Sequence, residues 1–241
     1  NLTETAPNRE WRAIETTLKM LKPPPRLKVS EWAEEKRKLS PESCAEHGKF
    51  YNDRAPYQRG IMDAFSESEI ETVIVWTSSQ VGKTTIIENV DGYFIDQDPS
   101  PILNLEPTLD VAKSLSKDRL TPMFRDTPCL KGKISDVKSR DPDNTTLHKI
   151  FPGGHLTIAG ANSAASLGSR PIRILLMDEV DRYPASAGVE GDPCRLAVKR
   201  TTAFWNRKIG YFSTGTIKGH SKIETMYGIS DKRKYFVPCP Y

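Results

Sequence analysis

An α/β fold, with a mainly parallel central sheet and helices on both faces, is predicted from three observations. The stretch Thr72 to Phe94 begins as a β-branched apolar run, crosses a small polar loop and continues as an amphipathic helix. Two more short apolar runs, Ile102 to Leu105 and Ile172 to Met177, are nearly continuous rather than alternating. Strands covered on both faces by helices read this way. Helical patterns alternate with these runs, the arrangement that gives a parallel sheet.

The chain has 241 residues, enough for one large domain with a sizeable core. Its 35 basic and 31 acidic residues give a net charge of +4, a balance that suits contact with a polyanion without requiring it. Cys44, Cys129, Cys194 and Cys239 are far apart and form no CxxC pair, which points to a reducing compartment. No apolar run approaches the roughly 20 residues that span a bilayer. The sequence opens at Asn1 and stops at Tyr241 without a natural boundary at either end, and a piece of a longer protein is expected.

Residues 1–50 read as an N-terminal helical arm and linker. A helix is expected from about Glu10 to Leu21, with Trp11, Ile14, Leu18 and Leu21 on one face, before Pro23-Pro24-Pro25. It either packs on the same domain or docks a partner. Ser30 is a candidate cap for a second helix running to Leu39. Residues 51–241 form the second unit. Pro56-Tyr57-Gln58 opens a helix carrying Ile61, Met62 and Phe65. The Gln58 amide both donates and accepts, as reading the N6 and N7 edge of adenine requires.

The stretch Thr72 to Phe94 carries the strongest chemical signal. After the strand Val73 to Trp76 come Ser78, Ser79, Gln80, Val81, Gly82, Lys83, Thr84 and Thr85, then a helix with Ile86, Ile87, Val90, Tyr93 and Phe94 on one face. Strand, tight loop, Gly-Lys-Thr and helix is the context of a phosphate-binding P-loop. Its N–H groups and the positive end of the helix favour an anion. Lys83 is placed to reach the β- and γ-phosphates of a nucleotide, and the Thr84 hydroxyl to ligate Mg2+. Thr77 stands where the full motif has its first glycine.

Beyond it, Ile102 to Leu105 is a strand and Thr108 begins a helix with Val111, Ala112, Leu115 and Leu120. Lys113, Lys117, Arg119 and Arg125 give that region a basic side, either a solvated face or a groove for nucleic-acid phosphates. Residues 131–145 read as a loop. Pro152-Gly153-Gly154 joins two strands of a hairpin. Residues 160–169 are small and polar and lead to Arg170.

The run to Met177 ends in Asp178-Glu179, a Walker B pattern. Asp178 is the candidate Mg2+ holder, and Glu179 the carboxylate that polarises the attacking water. Asp181 and Arg182 read as flanking surface charges. Asp192-Pro193 starts a helix expected to run to about Trp205. Lys208 to Phe212 is a further strand ending in Ser213, Thr214, Gly215 and Thr216, whose hydroxyls either sense a γ-phosphate or make a turn. A short helix, His220 to Tyr227, and a last strand, Arg233 to Val237, complete the pattern.

Taken in order, Pro56-Tyr57-Gln58, Ser79 to Thr84, Leu175 to Glu179 and Ser213 to Thr216 resemble the large terminase subunit of tailed bacteriophages, the lambda-like group. Ala165 to Arg170 and Val237-Pro238-Cys239-Pro240 strengthen the resemblance, which extends from about residue 30 to the end. It implies an N-terminal ATPase domain, using ATP and Mg2+, that drives double-stranded DNA into a procapsid. A C-terminal nuclease domain is implied beyond this chain, and Cys239 has no zinc partner here. The implied partners are DNA, the small terminase subunit, the portal and further copies in a ring, in the host cell cytoplasm and without a membrane. By position, Gln58 resembles the adenine-reading residue and Ser213 to Thr216 the coupling motif. Arg170 lies in the loop from which related motors insert an arginine into a neighbour's site, with Arg119 and Arg125 as rivals.

The expected architecture is therefore a RecA-like P-loop NTPase of the additional-strand type, its site at the carboxyl ends of the strands. A helicase-like remodeler shares the Gln58 element and Asp178-Glu179, but requires a second RecA-like domain. A GTP-binding switch requires an Asn-Lys-x-Asp motif, which the sequence does not contain.

Overall fold

The structure is a computed structural model that describes residues 11, 14, 17, 18, 26–134, 144–163, 170–237 and 239. Most of the expected arm helix, the centre of the 131–145 loop and residues 164–169 lie outside the described residues.

Among the described residues, six strands form the main sheet. These are β3 (Thr72–Trp76), β4 (Ile102–Glu106), β5 (His148–Phe151), β6 (Gly154–Gly160), β7 (Ile174–Met177) and β8 (Lys208–Ser213), in the spatial order β3-β8-β7-β4-β6-β5. All neighbours are parallel except the β5–β6 hairpin, which turns at Gly153 (φ 88°). The last strand in sequence, β8, is inserted between the P-loop strand β3 and the Walker B strand β7. This is the additional-strand arrangement. It brings the carboxyl ends of β3, β8, β7 and β4 to one edge of the sheet.

Period-two alternation divides the strand residues between two cores. Ile174 and Leu176 of β7 face one cluster, with Phe212 of β8. Leu175 and Met177 face the other, with Ile209 and Tyr211. Both clusters are capped by helices, which is why the strands show apolar runs instead of alternation. The first is covered by α1 (Val29–Lys36), α2 (Tyr57–Ala64) and α3 (Lys83–Asp96). It is also covered by the segment after α4 (Leu109–Ser114), a π-helical turn Leu115–Leu120 followed by α5 (Thr121–Asp126). The second is covered by α6 (Pro193–Lys199) and α7 (Lys222–Gly228). A two-stranded hairpin, β1 (Lys38–Leu39) with β2 (Gly48–Lys49), follows α1.

Helix α1 falls inside the stretch expected to form an arm and linker, yet it is part of the body. Val29, Trp32 and Ala33 are fully buried. The Trp32 ring lies where a side chain on Gly92 of α3 would otherwise stand, and its indole N–H donates to Asp96 at 2.8 Å. Ser30 does not cap this helix. The helix starts at Val29 and its cap is Lys28, two residues before Ser30, where the Glu31 carboxylate reaches back to the Lys28 N–H. Ser30 donates its own N–H to Asp63 of α2.

Asp96 binds α1 to the end of α3 through Trp32 and Lys36, and it also accepts from Lys133, beyond α5. Burial alone would raise its pKa, but hydrogen bonds from Lys133, Trp32 and Lys36 outweigh that and hold it at about 2. A folded-state pKa below the unfolded value stabilises the fold above the unfolded pKa, and the contribution disappears as pH falls through the folded pKa. Stability is therefore expected to fall between about pH 4 and pH 2, by ~2 kcal/mol from this group. Chemical denaturation at stepped pH checks this. Asp96→Asn should lower stability at pH 7 and flatten the acid limb.

Two other expectations are corrected. Helix α6 ends at Lys199 rather than near Trp205, because the hydroxyls of Thr201 and Thr202 donate to the carbonyls of Val198 and Lys199. The Arg200 carbonyl meanwhile accepts from Ile172 of the segment entering β7. Residues 233–237 form no strand. Tyr235, Phe236 and Val237 are exposed, and no ladder pairs with them among the described residues.

Candidate active site at the carboxyl edge of the sheet

The loop after β3 is shaped by two residues with positive φ, Gln80 at 60° and Gly82 at 82°. Gly82 is required twice over. Its conformation suits glycine, and a Cβ there would collide with the Gln58 amide. Gln58 is buried, and its Nε2 donates to the Val81 carbonyl at 2.9 Å. The Tyr57 hydroxyl donates to the same carbonyl at 3.1 Å. The tip of α2 thus braces the loop from outside. Ser78, Ser79 and Gln80 are exposed, while Thr84 and Thr85 are half-buried on the first turn of α3.

Lys83 is the centre of the site. Its side chain is only 6% exposed, an unusual place for an ammonium group. Three acceptors from three elements hold it. Nζ donates to the Ser78 carbonyl at 3.2 Å and to Thr214 Oγ1 at 2.8 Å, and it pairs with Glu179 Oε1 at 3.3 Å. The P-loop, the tip of β8 and the tip of β7 therefore converge on one cation.

Glu179 has φ 51°, a left-handed conformation unfavourable for a glutamate, and it is followed by a 3₁₀ turn, Val180–Arg182. Asp178 is 7% exposed, and its backbone N–H donates to the Leu105 carbonyl of β4. Burial and the neighbouring Glu179 push its carboxyl up to about 6, against the pull of the Glu179 N–H, Lys83 and the Thr84 hydroxyl. A third carboxylate, Glu106, stands at the tip of β4 and is 4% exposed. Burial, together with Asp178, Asp91 and Glu179, raises its pKa well above the usual value. Burial and mutual repulsion hold these carboxyls back from ionising, and a hard cation beside Asp178 would favour the ionised form.

Ser213 to Thr216 occupy the tip of β8. Ser213 is buried, and its carbonyl accepts from Thr77 of the P-loop at 3.3 Å. Thr216 donates both its N–H and its hydroxyl to Asp181 Oδ2, each at 3.1 Å. Asp181 is thus no solvated flanking charge. Burial would raise its pKa, but hydrogen bonds from Ser221, Ile223 and Thr216 lower it.

Arg170 is exposed and lies elsewhere. Its Nη1 meets His148 Nε2 at 2.8 Å, on β5. β5 and β3 are at opposite edges of the sheet with four strands between them. At ~4.8 Å per strand that is about 24 Å, so Arg170 does not reach Lys83 of its own chain. The rival arginines are engaged. Arg119 donates to Glu88 at 2.7 Å and to the Ser43 carbonyl. Arg125 pairs with Asp126 and Glu42. The basic side expected around them is in part a set of internal ties.

Two acids, one within the site and one behind it, are not marked by the sequence motifs. Glu106 carried a usable signal, since Ile102 to Glu106 ends in an acid just as the Walker B run does. Asp181 carried none, because its partners lie 35 and 42 residues away.

A lysine-bearing loop on β3, a strand inserted between it and the Asp178-Glu179 strand, and convergence of all three on Lys83 define the class: an additional-strand P-loop ATPase. A model of the family described as phage terminase large subunit gpA, ATPase domain, matches residues 44–241, and the chain belongs to that family. It is 29% identical over 232 residues to the terminase large subunit of Enterobacteria phage P21, covering 95% of this chain and 36% of that protein. It is 28% identical over 245 residues to the terminase large subunit of Escherichia phage lambda, covering 100% of this chain and 38% of that one. The chain thus spans little more than a third of the length of these relatives. The crystal structure of the HK97 bacteriophage large terminase shares the fold, with a TM-score of 0.66 at 13% identity over 83% of this chain and 40% of that one.

Proposed function

We propose that this domain hydrolyses ATP to drive double-stranded DNA into a procapsid, as part of a large terminase subunit whose nuclease domain lies outside this chain. The observation that carries the reading is Lys83, buried and held by groups from the P-loop, β7 and β8. A buried cation at the mouth of a P-loop is poised to exchange these ligands for phosphate oxygens. Gln58 reads the adenine edge, and residues 78–85 cradle the phosphates. Thr84 and Asp178 are the two residues that would hold Mg2+, and their hydroxyl and carboxylate oxygens are the hard donors that suit that ion. When bound, Mg2+ neutralises charge on the phosphates. Glu179 takes the proton from the attacking water, and Lys83 stabilises charge on the transferring phosphoryl group. Ser213 to Thr216 couple that event to movement of DNA. The partners are DNA, the small terminase subunit, the portal and further copies of the chain in a ring, acting in the host cell cytoplasm. No helix among the described residues is long and apolar enough to cross a membrane.

Glu179→Gln separates binding from chemistry. It keeps size and hydrogen bonding but loses the base. Turnover is expected to fall roughly 100-fold or more, with ATP affinity retained. Asp178→Asn is expected instead to weaken Mg2+-dependent binding. Normal hydrolysis by Glu179→Gln places the base elsewhere.

A further inference from the structure

Asp181 lies three residues beyond Asp178, and its hydrogen bonds run to the tip of β8 and the segment that follows it. Its N–H donates to Ser213 Oγ at 3.2 Å. Its Oδ2 accepts from the N–H and the hydroxyl of Thr216, and its Oδ1 accepts from the N–H of Ile223 in the first turn of α7 at 2.9 Å. One carboxylate therefore clamps both ends of residues 216–223. The near end of the same segment, Thr214, accepts from Lys83. Between them Gly215 lies flat against the Trp76 ring, where a Cβ would stand 2.5 Å from the indole nitrogen. Trp76 meets Tyr227 of α7 edge-on, with centroids 5.5 Å apart. The β8 tip and α7 are thus joined at two points, the Trp76–Tyr227 ring contact of the P-loop strand and the hydrogen bonds of Asp181.

We infer that Asp181 is a positioning residue that makes residues 214–223 and α7 move as one piece, so that the occupancy of Lys83 is transmitted to α7. This rests on the reading of Lys83 as a phosphate contact. When phosphate oxygens claim the Lys83 ammonium, Thr214 loses its donor and the β8 tip is free to shift. Without the clamp, that shift dissipates in the loop. With it, Thr216 and Ile223 share one anchor, and the displacement reaches the helix.

The test is amide hydrogen exchange on the wild type, Asp181→Asn and Thr216→Val, each alone, with Mg2+ and ADP, and with Mg2+ and a non-hydrolysable ATP analogue. Nucleotide affinity is measured separately on each. In the wild type the triphosphate, unlike ADP, should change exchange throughout 214–226. In Asp181→Asn, exchange at the Thr216 and Ile223 amides should rise without nucleotide, on the order of 10-fold. The triphosphate response should then stop at Gly215 while affinity stays at the wild-type level. Thr216→Val removes a single bond, leaves the clamp's other contacts and should weaken the transmitted response. It carries the test alone if Asp181→Asn does not fold. A wild-type-like response in both variants, or no response at 216–226 in the wild type, overturns the link. With affinity intact, such a result leaves the P-loop assignment standing. Absence of nucleotide binding by the wild type overturns both.

Discussion

Lys83→Ala should abolish ATP turnover in a protein that stays folded. Its ammonium is the one cation held jointly by Ser78, Thr214 and Glu179. Deleting it removes the charge that stabilises the transferring phosphoryl group, and losing one such electrostatic contact costs roughly 100- to 1,000-fold in rate. Affinity for ATP should fall as well, since the same group meets the phosphates in the ground state. The fold should survive, because the core clusters contain no part of Lys83. Steady-state hydrolysis, nucleotide titration and a melting curve on the same preparation check all three. Wild-type-like turnover by a folded variant contradicts the assignment.

Arg170 should act on a neighbour's site. It is exposed at the far edge of the sheet, about 24 Å by strand spacing from the strand that carries the P-loop. Lys83 alone leaves the transition-state charge on the γ-phosphate incompletely neutralised. A guanidinium from an adjacent copy completes the neutralisation, and such fingers are worth roughly 1,000-fold or more. Activity per subunit should therefore rise with protein concentration. Arg170→Ala should eliminate the rise and leave ATP affinity nearly unchanged. Arg170→Ala and Glu179→Gln chains, each inactive, should recover activity when mixed, because one supplies the finger's target site and the other the finger. A dead mixture, under conditions where wild-type chains assemble and hydrolyse, assigns Arg170 to bracing its own loop beside His148.

The sheet and the two motifs were legible because their signals are local. Ile174 to Met177 are apolar because both faces of β7 are covered, and Gly82-Lys83-Thr84 are consecutive where the loop turns into the first turn of α3. What was not legible depends on distant residues. The buried pairing of Arg37 and Arg119 with Glu88 joins three separated segments, so Arg119 read as a surface or DNA-facing charge. Asp181 looked solvated for the same reason. Tyr235-Phe236-Val237 had strand composition but no ladder to join among the described residues, and composition does not supply a partner. The premature end of α6 turned on two threonine hydroxyls competing for backbone carbonyls, a contest that hydrophobic periodicity does not register.

The most direct test of the site is a structure of this domain with Mg2+ and a non-hydrolysable ATP analogue. The expected result has the phosphates against the loop 78–84, with Lys83 Nζ on phosphate oxygen and parted from Thr214 Oγ1 and Glu179 Oε1. A nucleotide bound away from that loop, or one bound while Lys83 keeps both contacts, contradicts the proposed site.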